Sequence, residues 1–317
     1  MGAETELGPL VEETVLGIDI GGTRVKVGRV GRNGEVLENR EIPTGSKRGR
    51  NALLEDLRVL GDSFLENPNV RAVGVGFAGL IDFGEGAILS SPNLPGWDGI
   101  QLQKELRDTW GCPVYLDNDA NCAALGEAWR GAGEGYDSVV TVTLGTGIGV
   151  GIVLEGRIWR GVTGTAGEFG HISLDPLGPE CSCGQKGCWE VFASATGLMA
   201  EAGRRCPDSS FTSAYEIYEA AGGGDQVACR LLEDLGRWVA RGVRVICFSL
   251  DPSCVVIGGG VSGAWDFFSP FLMQELSSSP LGLGSRGVSV VRTELQNDAA
   301  VVGAAHGAWK ILESLEC

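Results

Sequence analysis

Val15–Val30, VLGIDIGGTRVKVGRV, alternates aliphatic residues with others on both sides of Gly21-Gly22-Thr23. Alternation of this kind marks half-buried strands, and paired glycines between two of them make a tight turn. Gly31-Arg32-Asn33-Gly34 turns the chain again into a third strand, Glu35–Ile42, so the segment reads as a β-meander. Ser138–Trp159, SVVTVTLGTGIGVGIVLEGRIW, repeats the plan. It has a strand to Leu144, the turn Gly145-Thr146-Gly147, a strand to Leu154, the turn Glu155-Gly156-Arg157 and a short third strand.

The repetition continues. Val73–Asp82, VGVGFAGLID, matches Val255–Gly263, VVIGGGVSG, each a buried strand running into glycines. Val114–Trp129 matches Val291–Trp309, each a strand that ends in Asn-Asp-Ala and enters an alanine-rich helix. Four matching elements in one order imply an internal duplication. Two α/β halves facing each other across a cleft are expected; the alternative is one large α/β domain in which glycine-rich hairpins recur. Helical periodicity covers about 52–66, 100–110, 190–205, 213–221 and 225–249.

The 317 residues carry a net charge of −16, which repels nucleic acid and anionic membrane, and the longest basic run is Lys47-Arg48-Gly49-Arg50. The longest uncharged stretch, Ser138–Leu154, is shorter and more polar than the roughly 20 apolar residues of a membrane helix. The first fourteen residues are acidic, without the basic and apolar regions of a secretion signal, and are expected to be a loose tail on a cytoplasmic protein. Fifty-one glycines, about 16% against a usual value near 7%, cluster beside strands, where backbone must turn sharply or approach a ligand closely. Of ten cysteines, seven are scattered and read as reduced, partly buried thiols.

Asp19-Ile20-Gly21-Gly22-Thr23 places a carboxylate at a strand end before a tight turn whose N–H groups can cradle phosphate, with Asp19 available to Mg²⁺. Gly145-Thr146-Gly147 offers a second such turn, and two at equivalent positions suit a polyphosphate. Neither a Walker motif nor a protein-kinase catalytic loop is present. Gly74-Val75-Gly76-Phe77-Ala78-Gly79 matches GxGxxG and raises a dinucleotide-binding oxidoreductase as a rival, but Leu80–Pro95 does not open into the required helix. Leu116-Asp117-Asn118-Asp119-Ala120-Asn121 puts polar residues where a strand meets a helix. One of them suffices for capping, so four in five positions point to a polar site at the strand's carboxyl end.

Gly167-Glu168-Phe169-Gly170-His171 is followed by Cys181-Ser182-Cys183-Gly184-Gln185-Lys186-Gly187-Cys188-Trp189-Glu190. One His and three Cys supply four ligands for a closed, structural Zn²⁺ site, with a disulfide as the alternative. A neutral His171 bound through one ring nitrogen would offer its other N–H to a ligand oxygen, and Glu168 and Glu190 would accept from hydroxyls. That set suits a sugar. His306, in the alanine-rich helix, reads as a surface or boundary residue.

From Val15 to Leu312 the chain resembles the ROK family of repressors, open reading frames and sugar kinases, most specifically in GEFGH with CSCGQKGCWE, and next in LDNDAN. The resemblance implies an α/β, actin-like (ribonuclease H-like) duplicated two-domain fold, homodimers or homotetramers, and Mg-ATP as phosphoryl donor to the 6-hydroxyl of a hexose. It implies Asp119 as catalytic base, with Gly79, Asn118, Glu168, His171 and Glu190 about the sugar and His171, Cys181, Cys183 and Cys188 about zinc. Asp19, Gly21, Gly22 and Thr23 correspond to the first phosphate loop, Gly145, Thr146 and Gly147 to the second, and Gly258, Gly259 and Gly260 to the adenosine motif. Ser91–Trp97, SPNLPGW, is similar to the loop of glucose-specific members and favours glucose over mannose, fructose or N-acetylated sugars; polyphosphate stays an alternative donor. The family's repressors carry a helix-turn-helix before the first phosphate loop, for which the fourteen residues ahead of Val15 are too few. The expected division is a tail at 1–14, a first domain at 15–119 plus about 302–317, and a second at 120–301 with the zinc site.

Overall fold

The structure is a computed structural model, and it describes residues 12–207, 211–278 and 287–316. Residues 1–11 of the expected tail and Cys317 lie outside the described residues. Thr14 already belongs to the first strand.

The chain divides into two compact units, one holding the described residues up to Asp119 with those from Val301 onward, the other Ala120–Ala300. The first contains β1 (Thr14–Ile20), β2 (Arg24–Gly31), β3 (Val36–Pro43), α1 (Arg50–Leu65), β4 (Val70–Phe77), the small hairpin β5 (Leu80–Asp82) and β6 (Ala87–Ser90), α2 (Leu102–Trp110) and β7 (Val114–Asn118). Its sheet runs β3-β2-β1-β4-β7. The β1–β2 and β2–β3 pairs are antiparallel, and β1–β4 and β4–β7 are parallel.

After α3 (Asp119–Arg130) the second unit builds β8 (Ser138–Leu144), β9 (Ile148–Leu154), β10 (Arg157–Ile158), α4 (Glu190–Ala193), α5 (Ala195–Arg205), α6 (Ala214–Gly222), α7 (Gln226–Leu250), β11 (Cys254–Gly258), α8 (Trp265–Ser277) and β12 (Ser289–Arg292). Its sheet order, β10-β9-β8-β11-β12, repeats the first strand for strand with the same directions. This is the duplicated α/β plan read from the hairpins. α9 (Ala299–Glu316) follows β12 as α3 follows β7.

Each sheet packs a helix at unusually short range. A methyl group added at Gly17 would overlap the Val301 carbonyl, and one at Gly74 the Ala304 carbonyl, so α9 lies directly on the backbone of β1 and β4. Gly151 of β9 meets the Ala120 carbonyl of α3 in the same way. The alanine-rich composition of both helices follows from this, because larger side chains would hold helix and sheet apart.

The first core joins Ile18, Val73, Val75 and Phe77 of the sheet to Leu53, Leu57 and Phe64 of α1 and to Trp97. The second is organised on α7, whose buried Leu231, Leu235, Val239, Val243 and Ile246 recur at helical spacing. Asp225 caps that helix by accepting from the Val227 and Ala228 N–H groups, and Asp251 ends it in a left-handed conformation ahead of Pro252.

Three local readings change. Residues 190–205 are two helices, because Ser194 leaves helical geometry and accepts the Gly197 N–H at 3.0 Å to cap α5. The GxGxxG segment runs from β4 into the β5–β6 hairpin rather than a helix, which removes the dinucleotide reading. α8 has no counterpart in the helical periodicity, since Pro270 interrupts it. Packing on α7 holds it, with Gly236 admitting the Phe268 backbone. Among the described residues no helix is long and apolar enough to cross a membrane.

Candidate active site

In the first unit the carboxyl ends of the parallel strands β1, β4 and β7 gather three of the sequence motifs. The hairpin Gly21–Thr23 closes through the Gly21 N–H to the Arg24 carbonyl at 3.0 Å. Beyond β7 the Asn118 amide donates to the Gly79 carbonyl and to Asp119 Oδ1, both at 3.0 Å. Gly79 has no room for a side chain, because a Cβ there would lie 2.5 Å from the Ser90 carbonyl oxygen. Buried Asp117 accepts the Tyr115 hydroxyl at 2.6 Å and the Asn118 N–H at 2.8 Å. Asp19 is pushed up to about 7, first by burial and then by the charge of Asp119, with Lys26 opposing and Glu41 adding. Asp119 thus stands within electrostatic reach of the acid that opens the first glycine turn.

In the second unit Gly145–Gly147 closes on itself, the Gly145 N–H donating to the Gly147 carbonyl at 2.9 Å. Glu190, the first residue of α4, accepts the Ile148 N–H at 2.9 Å through Oε2. The same oxygen occupies the space a Gly147 Cβ would need, so a side chain there would displace the Glu190 carboxylate from the Ile148 N–H. Gly258 ends β11, and Gly259 and Gly260 follow it beside this turn: Gly259, at φ 79°, rests against the backbone of Leu144, while Gly260 faces open space. Turns at the ends of β8 and β11 stand where open α/β sheets receive ligands.

Glu168–His171 is a short 3-10 turn packed on β9, with Gly167 and Gly170 against the Val150 and Ile148 carbonyls. His171 Nε2 lies 3.9 Å from Glu168 Oε2. Burial raises the Glu168 carboxyl above its usual range although half its side chain meets solvent; His171 pulls it back and the Glu190 charge raises it again. Glu168, His171 and Glu190 therefore form one polar cluster.

The other ring nitrogen of His171 faces sulfur. Nδ1 is 3.6 Å from Cys181 Sγ, Cys183 and Cys188 sulfurs are 3.6 Å apart, and all four ligand atoms lie within 4.8 Å of one another. Ligands of a tetrahedral zinc ion are separated by roughly 3.5–3.8 Å, so the donor set fits that metal. At that separation the Cys183 and Cys188 sulfurs are not bonded to each other, and no disulfide joins any of the nine described cysteines. Burial, then the neighbouring sulfurs, push the Cys188 thiol up to about 12, whereas the Gln185 N–H lowers Cys183. Bound metal would displace the proton from both.

Some polar residues here left no mark in the sequence. Glu127 of α3, fully buried, accepts from the Thr293 hydroxyl and from the Ala132, Glu294 and Leu295 N–H groups, tying the ends of α3 and β12 together. Thr44 and Thr196 bond to the two glycine turns. A buried Glu amid alanines is the one signal that could have been read; an isolated Thr carries none. His306 is half-buried within α9, as a boundary residue should be.

A glucokinase of Halalkalibacterium halodurans is 33% identical over 314 residues, covering 93% of this chain and 94% of that protein. One from Thermotoga maritima is 34% identical over 306 residues, covering 92% and 96%. The crystal structure of a ROK family glucokinase from Streptomyces griseus, in complex with glucose and AMPPNP, superposes with a TM-score of 0.83 at 32% identity, over 94% of this chain and 99% of that one. The ROK family profile matches residues 15–310, taking in both glycine turns, the Asn118–Asp119 corner and the His–Cys cluster, and the chain belongs to that family.

Proposed function

We propose that this protein is an ATP-dependent glucokinase that transfers the γ-phosphoryl group of Mg-ATP to the 6-hydroxyl of glucose. One observation carries the reading: a phosphate-type glycine turn headed by Asp19, at the carboxyl end of β1, and a pinned carboxylate, Asp119, at the carboxyl end of β7, share one edge of a sheet. Kinship to glucokinases supports glucose as acceptor. The two units, as the protein's domains, contribute different groups. The first supplies Asp119, Asn118, Gly79 and the Asp19–Thr23 turn, and the second supplies Glu168, His171, Glu190 and the turns Gly145–Gly147 and Gly258–Gly260.

Asp119 takes the proton of the attacking hydroxyl, and Asn118, donating to Oδ1, orients the carboxylate. The Gly79 carbonyl is already used by Asn118, so its N–H is the group left for a sugar oxygen. Glu168 and Glu190 accept from sugar hydroxyls, and His171 donates from Nε2. The two glycine turns present N–H groups to phosphate oxygens, and Gly258–Gly260 border the adenosine. Asp19 is the carboxylate that would hold Mg²⁺, whose charge would neutralise that of the transferring group. The transition state is loose, so most of the rate comes from placement rather than from bonding to the protein. His171, Cys181, Cys183 and Cys188 would hold a structural Zn²⁺, which would fix the imidazole with Nε2 on the Glu168 side. The absence of disulfides among the described cysteines suits a reducing cytoplasm.

The test is ADP release measured over a panel of glucose, mannose, fructose, N-acetylmannosamine and N-acetylglucosamine, with ATP and polyphosphate as donors. Glucose with ATP should give the highest kcat/KM. A higher value for an N-acetylated sugar would move the assignment to that kinase, and no turnover with any pair would refute the enzyme reading.

A further inference from the structure

Glycine turns bind phosphate only if their peptide N–H groups face it, yet glycine makes each peptide easy to flip, which would present a carbonyl lone pair instead. In a trans peptide the C=O and N–H point in opposite directions, so anchoring the carbonyl fixes the N–H. All peptides described here are trans. The Thr44 hydroxyl donates to the Gly21 carbonyl at 2.7 Å, and the Thr44 N–H donates to the Thr23 carbonyl at 2.9 Å. The first of these bonds aims the Gly22 N–H away from Thr44. In the second unit the Thr196 hydroxyl donates to the Thr146 carbonyl at 2.7 Å, and the Ala195 N–H donates to the Gly145 carbonyl at 2.8 Å. These aim the N–H groups of Gly147 and Thr146 away from α5.

We propose that Thr44 and Thr196 are positioning residues that lock the peptides of the two phosphate turns with their N–H groups turned toward nucleotide. The proposal rests on the kinase reading above. The two threonines are not equivalent in the duplication: one follows β3, the other is the second residue of α5. Thr44 is fully buried and Thr196 is exposed. A need to satisfy a buried hydroxyl therefore explains at most the first. What they share is the bond itself, a side-chain hydroxyl on the carbonyl of a peptide that has glycine on one side or both. Different elements supply the same brace to the two turns, as a common requirement of both sites would demand.

The experiment compares Thr44→Val, Thr196→Val and the matching Ser variants, with Thr109→Val as control. Thr109 loses a hydroxyl-to-carbonyl bond of the same kind, to Glu105, on the exposed face of α2. Binding of a non-hydrolysable ATP analogue is measured by calorimetry and KM is measured for ATP and for hexose. Each Val variant should raise the analogue Kd and the KM for ATP about five- to tenfold, the effect of one hydrogen bond, with the hexose KM changed less than about twofold. The Ser variants, which keep the hydroxyl, should restore nucleotide affinity, and Thr109→Val should change nothing. Because Thr196 is exposed, its variant decides the matter if Thr44→Val does not fold. Unchanged nucleotide affinity in folded Val variants, or equal losses for nucleotide and hexose, would overturn the brace. Wild-type protein that binds no nucleotide would instead overturn the kinase reading on which it rests.

Discussion

Asp119 and Asp298 are the two acids that follow an Asn at the end of a sheet and precede an alanine-rich helix. Their surroundings differ. Asp119 is held by the Asn118 amide and acts on Asp19 through its charge, whereas Asp298 sits in the 3-10 turn that leads into α9. Asp119→Asn should therefore lower kcat by at least about 100-fold with hexose binding retained, because an amide cannot take the proton. Asp298→Asn should cost at most about 1 kcal/mol of stability and leave turnover intact. Steady-state kinetics with both substrates saturating separates the two. Asp19 carries a second prediction. Its folded pKa of about 7 lies above the ordinary 3.8, so ionising it opposes folding: the cost is absent below about pH 4, grows as pH rises, and is complete above about 7. At about 1.4 kcal/mol per unit the full shift is worth up to roughly 4 kcal/mol. In metal-free protein Asp19→Asn should raise Tm at pH 8, with the gain vanishing toward pH 4, while turnover with Mg-ATP falls. A Tm gain independent of pH would contradict this origin.

Among the elements, the His–Cys knuckle and α4 form one mechanical piece. Cys188, Trp189 and Glu190 are consecutive: a zinc-type ligand, then an indole buried against α7 with its Nε1–H on the Trp238 carbonyl at 2.9 Å, then the carboxylate that takes the Ile148 N–H behind the second glycine turn. Displacing the knuckle therefore moves Glu190 and with it that turn. Purified protein should carry about one zinc per chain, and Cys183→Ser should lower both zinc content and Tm, as loss of a structural metal does. Thiolate ligands bind metal only when deprotonated, so chelators should strip zinc more readily as pH falls. Elemental analysis together with a melting curve checks both, and active protein free of zinc would refute the site.

For the whole molecule the duplication places α9 backbone directly against β1 and β4 of the first sheet. Gly74→Ala should destabilise by about 1–3 kcal/mol or more, since the new methyl meets the Ala304 carbonyl and neither backbone can withdraw cheaply. Gly203→Ala, in α5 where nothing lies within 4 Å of the added group, should instead stabilise by up to about 1 kcal/mol through helix propensity. Denaturant unfolding of the two variants measures the difference. Equal effects would mean that the close approach of α9 contributes nothing.

The amino-acid sequence by itself determined the strands, their glycine turns and their repetition, because alternation and turn residues act over a few neighbouring positions. It also determined the donor count at His171, Cys181, Cys183 and Cys188, since ligand type and spacing are local. Tertiary structure decided what depends on partners distant in the chain. It split 190–205 at Ser194, held α8 together despite Pro270, and buried Glu127 under the ends of β12 and α3. It turned one nitrogen of His171 to sulfur and the other to Glu168, and it set Thr44 and Thr196 against turns 21 and 50 residues earlier. A hydroxyl or carboxylate announces in sequence only that it can bond; which carbonyl or N–H it meets is fixed by the packing of elements that the local pattern does not encode.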